Sequence, residues 1–246
     1  MKVTFLGTNG WYDTPTGNTP CVFVETENEY IIFDAGFGFY KARHLVTSGK
    51  PVFLFLSHLH LDHLIGLHTL PLFKLPQGID LFVPKGMGKT LKNFLRRPLT
   101  SSLMLLPTKI RIREITPKTQ LPFAFEMKPL RHSVPCYGYR LELGGGTISY
   151  CTDTGLCANL KRLARAADLL ITECAMKPGD TAPNIFHITP ETAAGVAVSA
   201  GVKKLALFHF DPAKYPAPEH RKEAEKAARK AFVDSIAAND GTEIII

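Results

Sequence analysis

Val52-Phe53-Leu54-Phe55-Leu56-Ser57-His58-Leu59-His60-Leu61-Asp62-His63 is the stretch on which the reading of this chain turns. Its first five residues form an apolar run too short for an ordinary helix and well suited to a buried strand. Directly behind them stand three imidazoles and a carboxylate within six residues. In an extended segment residues two apart project to the same side, so His58, His60 and Asp62 are expected to converge. Asp62 and His63 then fall where a helix begins, with a helix expected over His63 to Phe73. Crowding these groups together is costly unless a cation neutralises and orients them. Neutral imidazole with carboxylate suits zinc, and less selectively iron or manganese. The competing reading is an exposed His-rich turn with no ligand, which the core-like apolar sequence on both sides disfavours.

Working outward, Val3 to Leu6, Cys21 to Glu25 and Tyr30 to Phe33 are further short apolar runs that predict strands, separated by loops such as Thr14-Pro15-Thr16-Gly17-Asn18. Gly88 to Leu95 predicts a helix. Phe123 to Met127, Tyr137 to Leu143 and Thr147 to Cys151 predict strands, with Gly144-Gly145-Gly146 as a hairpin turn. From there helix and strand alternate: Leu156 to Ala166, Leu169 to Thr172, Pro190 to Ala200, Leu205 to Phe208 and Pro218 to Ala238. Thr189 before Pro190 is the pairing expected of an N-cap and first helical position. Two strand-rich halves, each followed by helices, predict an α/β fold of two packed sheets with helices outside, in a single domain over 1–246.

Composition narrows the class. At 246 residues, with 45% hydrophobic and 21% charged positions, the chain is long enough to bury a large core. No apolar run approaches the roughly 20 residues of a membrane span. The first apolar run stops at Gly7-Thr8 and reads as a strand rather than a signal peptide. Five cysteines without a Cys-x-x-Cys pair fit buried thiols in a reducing compartment, which predicts the cytoplasm. The net charge of +7 favours polyanionic partners such as nucleic acid or phosphorylated metabolites. The run Arg221-Lys222-Glu223-Ala224-Glu225-Lys226 is mixed in sign and reads as a solvated helix face.

His58-Leu59-His60-Leu61-Asp62-His63 resembles the His-x-His-x-Asp-His signature of the metallo-β-lactamase superfamily, and the resemblance extends over nearly the whole chain. Phe5-Leu6-Gly7-Thr8 is similar to the family's first strand and turn, and Ile31-Ile32-Phe33-Asp34-Ala35-Gly36 to the strand whose terminal aspartate supports the metal loop. Arg131-His132-Ser133-Val134-Pro135, Cys151-Thr152-Asp153-Thr154-Gly155 and Leu207-Phe208-His209-Phe210 resemble, in order, the remaining ligand motifs. The resemblance implies the αββα sandwich of that superfamily, two mixed sheets with helices on the outer faces. It also implies two divalent cations, zinc first, with manganese or iron as alternatives. His58, His60 and His132 would hold one; Asp62, His63 and His209 the other; Asp153 would bridge them, and Asp34 would orient the His loop. The implied chemistry is in-line attack on phosphorus by a water activated between metals about 3.5–4 Å apart, with Asp62 also able to take its proton.

Asp168-Leu169-Leu170-Ile171-Thr172-Glu173 and Phe186-His187-Ile188-Thr189 resemble the glutamate-ended strand and His-x-Thr element of RNase Z-type enzymes. By that resemblance His187 protonates or stabilises the leaving group and Glu173 orients it. The chain departs from that branch in one respect: between His132 and Asp153 there is no room for the long arm that grips tRNA. The substrate is therefore expected to be a phosphodiester in the form of RNA, an oligonucleotide or a cyclic nucleotide, with no membrane partner. The resemblance also brings a homodimer into view, although no stretch specifies an interface. A carbonyl-substrate hydrolase (lactam, lactone or thioester) on the same site and a non-enzymatic nucleic-acid-binding module are the alternatives. Asn18 and Thr19 are candidates to line the substrate pocket, or simple turn formers. His44, His68 and His220 read as exposed or packed, and the lone Trp11 as a base-stacking or a packing residue.

Overall fold

The computed structural model describes residues 1–181 and 186–246. Its strands are β1 (Lys2–Gly7), β2 (Cys21–Glu25), β3 (Tyr30–Phe33), β4 (Val52–Phe55), β5 (Ile79–Pro84), β6 (Ile110–Ile115), β7 (Ala124–Pro129), β8 (Tyr137–Leu143), β9 (Gly146–Cys151), β10 (Leu169–Glu173), β11 (Lys204–Phe208), β12 (Ser235–Ala237) and β13 (Glu243–Ile245). One sheet runs β13-β1-β2-β3-β4-β5-β6, the other β12-β11-β10-β9-β8-β7. β3 to β6 are parallel, as are β9 to β12, and the remaining pairs are antiparallel. Both sheets are therefore mixed. Each parallel stretch aims its C-terminal strand ends at one rim, where an open α/β sheet presents a ligand site.

The inner faces meet in an aromatic core. Phe33 stacks on Tyr150 of the opposite sheet with ring centroids 4.7 Å apart, and Phe55 lies beside Tyr139 at 5.3 Å. Each such side chain, fully buried, contributes about 1.5–3 kcal/mol through its removed apolar surface. Tyr139 also donates its hydroxyl to the Leu56 carbonyl at 2.7 Å, fixing the chain just before the His-rich loop from across the sandwich.

The outer faces are covered differently. Over the second sheet lie α2 and α3 with α4, whose ranges, after α1 (Gly88–Phe94), are Ala158–Ala164, Pro190–Ala200 and Pro218–Arg229. The first sheet is covered mainly by 3-10 segments, Phe37–His44 and Ile65–Leu72. The helix expected over His63 to Phe73 is thus two tighter turns, Leu61–His63 and Ile65–Leu72. Gly66 explains this in part: a Cβ there would meet the Gly36 carbonyl oxygen at 2.0 Å, so the chain is pressed onto its neighbour. Pro71, inside the second turn, supplies no backbone donor for an α-helical ladder.

Several other expectations shift. Tyr137–Leu143 and Pro190–Ala200 have the expected bounds, Thr189 caps the latter by accepting from the Thr192 amide, and Gly144-Gly145 turn the β8–β9 hairpin, with Gly146 of the expected triplet opening β9. The strand predicted at Phe123 begins one residue later. The predicted Pro218 to Ala238 helix stops at Arg229, and Ser235–Ala237 pairs in parallel with β11 instead. Strand pairing there outweighs the helix-forming run before it. β5, β6 and β13 had not been anticipated from sequence.

Arg221 corrects the reading of its run as a solvated face. It is 1% exposed. Its guanidinium donates to Thr8 Oγ1 at 2.8 Å, to the Ala238 carbonyl at 3.1 Å, to Asn239 Oδ1 at 3.2 Å and to Asn9 Oδ1, and it lies 4.7 Å from the Phe210 ring. This ties α4 to the loop after β1. Arg221→Ala would leave those acceptors unpaired and open a cavity, so it is expected to cost about 3 kcal/mol in urea unfolding.

Candidate active site

The site is assembled from strand ends. Asp34 follows β3, His58 to His63 follow β4, His132 lies in the β7–β8 turn, Asp153 follows β9, Glu173 ends β10 and His209 follows β11. Asp34, Asp153 and His209 have φ of +55°, +36° and +54°. A non-glycine residue in the left-handed region costs on the order of 1–3 kcal/mol, which persists only where the surroundings over-determine it. Three such residues in one site mean the backbone bends sharply as each strand ends, turning the side chain inward.

Two donor groups match the expected ligand sets, and Asp153 also lies within 4.8 Å of Glu173 and His187 in a third. His58, His60, His132 and Asp153 bring their ligand atoms within 4.8 Å of one another, and so do Asp62, His63 and His209. His132 Nε2 faces His60 Nδ1 at 3.2 Å, and His63 Nε2 faces His209 Nε2 at 3.1 Å. Asp153 stands between the groups. Its Oδ2 is 3.1 Å from His58 Nε2 and 2.8 Å from His63 Nε2, and its Oδ1 is 2.9 Å from His209 Nε2. The convergence of His58, His60 and Asp62 on one side is not how the loop works. His58 and His60 join one group while the 3-10 turn Leu61–His63 carries Asp62 into the other.

Asp34 is fully buried and organises the His loop. Its Oδ1 accepts the Ser57 amide at 2.7 Å. Its Oδ2 accepts Ser57 Oγ at 2.8 Å and Tyr150 OH at 2.7 Å, and lies 2.7 Å from His63 Nδ1. Because the Ser57 hydroxyl proton is committed to Asp34, His58 Nδ1, 2.9 Å from Ser57 Oγ, must donate to it. Both imidazoles thereby keep their Nε2 lone pairs for the site, the arrangement by which a carboxylate fixes the tautomer of a metal-ligating histidine.

The donor set fits divalent cations. Burial disfavours charge on all these groups, yet Asp62 and Asp153 are held far below the usual carboxylate range by His63 and His209. Against the same burial, the carboxylates raise His63 well above its ordinary value and push His209 up to about 10. Burial lowers His58, and lowers His132 to about 4, so these two are neutral ligands at pH 7. The cluster therefore demands positive charge at the point where the Nε2 atoms of His63 and His209 meet. Protons supply it poorly, since two imidazoliums cannot aim N–H at each other across 3.1 Å. In addition, His58 Nε2 and Asp153 Oδ1 are buried without a hydrogen bond of good geometry. Divalent cations resolve both problems.

A cleft of about 730 Å³ opens over the two groups, and His187 reaches into it. His187 Nδ1 is 2.9 Å from Glu173 Oε1. The glutamate is buried and accepts the Thr154 amide at 2.7 Å on Oε1 and the Ala175 amide at 3.2 Å on Oε2, so its orientation is fixed. Asn18 and Thr19 do not line the cleft. Asn18 donates its amide to Asp240 Oδ2, and Thr19 is buried with its hydroxyl accepting the Phe37 amide, so both act as turn formers. His44 and His68 are exposed, and His220 is half-buried. The cleft walls also include Trp11, Leu61, Ser133, Met176, Asp211 and Lys214. Of these only Trp11 is marked out in the sequence. Met176 and Lys214 follow strand ends β10 and β11 by a few residues, which is the signal that could have flagged them.

A two-centre His/Asp site at the strand ends of this sandwich defines a metallo-β-lactamase-fold protein. The Beta-lactamase superfamily domain matches residues 29–210, and the chain belongs to that family. Its relatives place it on the RNase Z-like side. Ribonuclease Z of Pyrococcus abyssi is 26% identical, with 95% of this chain and 93% of the relative covered. That match runs over 294 positions against 246 residues here, so the relative carries segments this chain lacks. Among solved structures, the short form of human tRNase Z superposes with a TM-score of 0.75 at 25% identity, covering 100% of this chain and 99% of that one. The metallo-beta-lactamase fold protein YhfI from Bacillus subtilis gives a TM-score of 0.81 at 21% identity over 99% of each chain. That likeness speaks to the fold alone. No helix among the described residues is long and apolar enough to cross a membrane.

Proposed function

We propose that this chain is a metal-dependent hydrolase of phosphodiesters, RNase Z-like in its chemistry, acting as one domain over 1–246 whose two sheets both contribute to the site. The observation that carries the reading is Asp153, with both oxygens set between the two donor groups and the His187–Glu173 pair in the same cleft. His58, His60 and His132 would hold one divalent cation and Asp62, His63 and His209 a second, with Asp153 shared. The balance of imidazole and carboxylate supports zinc first. When bound, the cations supply Lewis-acid charge to the phosphate and an acidified water.

The rest of the work falls to side chains. Asp62 accepts the Trp11 amide at 2.8 Å on the oxygen that faces His63 and His209. We assign Asp62 to ligation and, held in place by the Trp11 amide, to accepting a proton from the attacking water. Asp34 keeps the His loop in register. Asp34→Ala is expected to weaken cation affinity by roughly 10–100-fold, measured by competition with a chelator, because it unties His58 and His63 together. His187, held by Glu173, gives its proton to the departing oxygen.

The β8–β9 hairpin takes up the chain between His132 and Asp153, with no arm beyond its two-glycine turn. That supports short or compact substrates, such as an oligonucleotide, a cyclic nucleotide or an RNA end, over a long grip on tRNA. The five cysteines are unpaired and four of them buried, which supports a reducing compartment such as the cytoplasm. The test is hydrolysis of bis-p-nitrophenyl phosphate after metal stripping, with zinc or manganese restored, beside a lactam and a thioester. Metal-restored cleavage of the phosphodiester is expected. Turnover of the carbonyl substrates alone would transfer the site to acyl chemistry.

A further inference from the structure

Trp11 stands at the mouth of the cleft, the residue 72% exposed. A single exposed aromatic residue means little, but the backbone beneath this one is unusual. Its φ is +65°, an uncommon value for any non-glycine residue and an outlier for a bulky one. The fold gains little from the ring at that strained position, because it is not buried.

The segment under it is fixed on every side. The Gly10 amide donates to the Phe210 carbonyl at 2.8 Å, and a Cβ on Gly10 would meet the His209 ring at 2.5 Å, so this backbone lies directly on a site imidazole. Asn9 Nδ2 donates to the Tyr12 carbonyl at 3.2 Å and the Gly17 carbonyl at 2.8 Å, while Asn9 Oδ1 is held by the buried Arg221. The Trp11 amide is committed to Asp62. Tyr12 stands edge-on to the indole with centroids 5.9 Å apart, supporting it laterally. The result is a fixed backbone that presents an exposed indole next to the residues that would hold the reacting phosphate.

We propose that Trp11 is a specificity-determining platform on which a nucleobase of the substrate stacks while the adjoining phosphodiester lies over the two donor groups. This rests on the phosphodiesterase reading and narrows it to substrates with an unpaired base beside the scissile bond. Stacking needs only a π-face, so the platform accepts any base and rejects a sugar phosphate without one.

Trp11 is the single tryptophan of the chain, so its emission reports on this position alone. The zinc-loaded protein is titrated with adenosine 5′-monophosphate and with ribose 5-phosphate, following emission, and affinities are taken by calorimetry. Saturable quenching by the nucleotide is expected, with about tenfold tighter binding than the base-less sugar phosphate. Trp11→Ala should bring that ratio close to one, and Trp11→Phe should retain most of it. The exposed ring makes both variants safe for folding. Equal affinity for the two probes, no saturable binding of the nucleotide, or an unchanged ratio in Trp11→Ala would each overturn the platform. Failure of the hydrolase reading is seen separately, as wild-type protein that leaves bis-p-nitrophenyl phosphate intact while the ratio still reports on stacking.

Discussion

Asp153→Ala is expected to abolish phosphodiester hydrolysis and bound cation together. Among the described residues this carboxylate is the group that touches both donor sets, so its loss should exceed the roughly 10–100-fold penalty of removing an outer partner such as Asp34. Two measurements separate this from simple misfolding. Metal content per chain, read by elemental analysis after gel filtration, should fall from two towards zero. Thermal unfolding should lose its response to zinc. At a hundred times the dissociation constant, a ligand that binds only the folded state adds about 2.7 kcal/mol, or roughly 5–10 °C for a chain of this size. Wild-type protein should show that rise and the variant should not. A variant that keeps both metals and its activity would show that Asp153 does not join the two centres.

His187→Ala is expected to lower kcat on a phosphodiester with a poor leaving group by roughly 10²–10⁴-fold, the span of general acid catalysis. A p-nitrophenolate leaving group, which needs little protonation, should suffer much less. The pH profile adds a test that a structural role would not meet. Burial alone would depress the His187 pKa, but the charge and hydrogen bond of Glu173 outweigh it, and the imidazole titrates above its ordinary value. The active form is the protonated one, present below that raised pKa, so activity is lost as pH rises through it. Glu173→Gln removes the charge that raises the pKa and should move this alkaline limb to lower pH. In His187→Ala the limb should vanish. A hydrolase of carbonyl substrates would be nearly indifferent to either change.

The two predictions differ in how readable their residues were. Asp153 was marked by a strand-like run ending in Thr152-Asp153-Thr154, and His187 by its order in the chain after Glu173. Neither motif says what its side chain touches. That Asp153 sets Oδ2 between His58 and His63 and Oδ1 against His209, from a backbone with φ of +36°, is not revealed by a sequence pattern. The 2.9 Å contact between His187 and Glu173 requires the end of β10 and the residues before α3 to fold back on each other.

Some misreadings have the same origin. Arg221 sits among lysines and glutamates and has the local signature of a solvated residue, yet it is buried because its partners, Thr8 and Asn9, come from more than two hundred positions away. β12 follows a helix-forming run and becomes a strand only because β11 offers an open edge in parallel register. Asn18 and Thr19 stand in a polar loop, but the Asn18 backbone amide is tied to Asp240, the Thr19 hydroxyl to the Phe37 amide, and neither lines the cleft.

By itself the sequence determined the chemical inventory and the layering. Apolar runs of strand length force two buried sheets, and seven imidazole and carboxylate side chains placed just after such runs force a charged site at their ends. The resemblance already assigned each histidine to its group; only the tertiary structure decided that Asp34 serves His58 through Ser57 and His63 directly, and that Trp11 is exposed at the mouth of the cleft. The physical reason is range. Burial and local propensity act on neighbours along the chain, whereas ligand geometry depends on where separate strands stop relative to one another, and that is set by the packing of the two sheets.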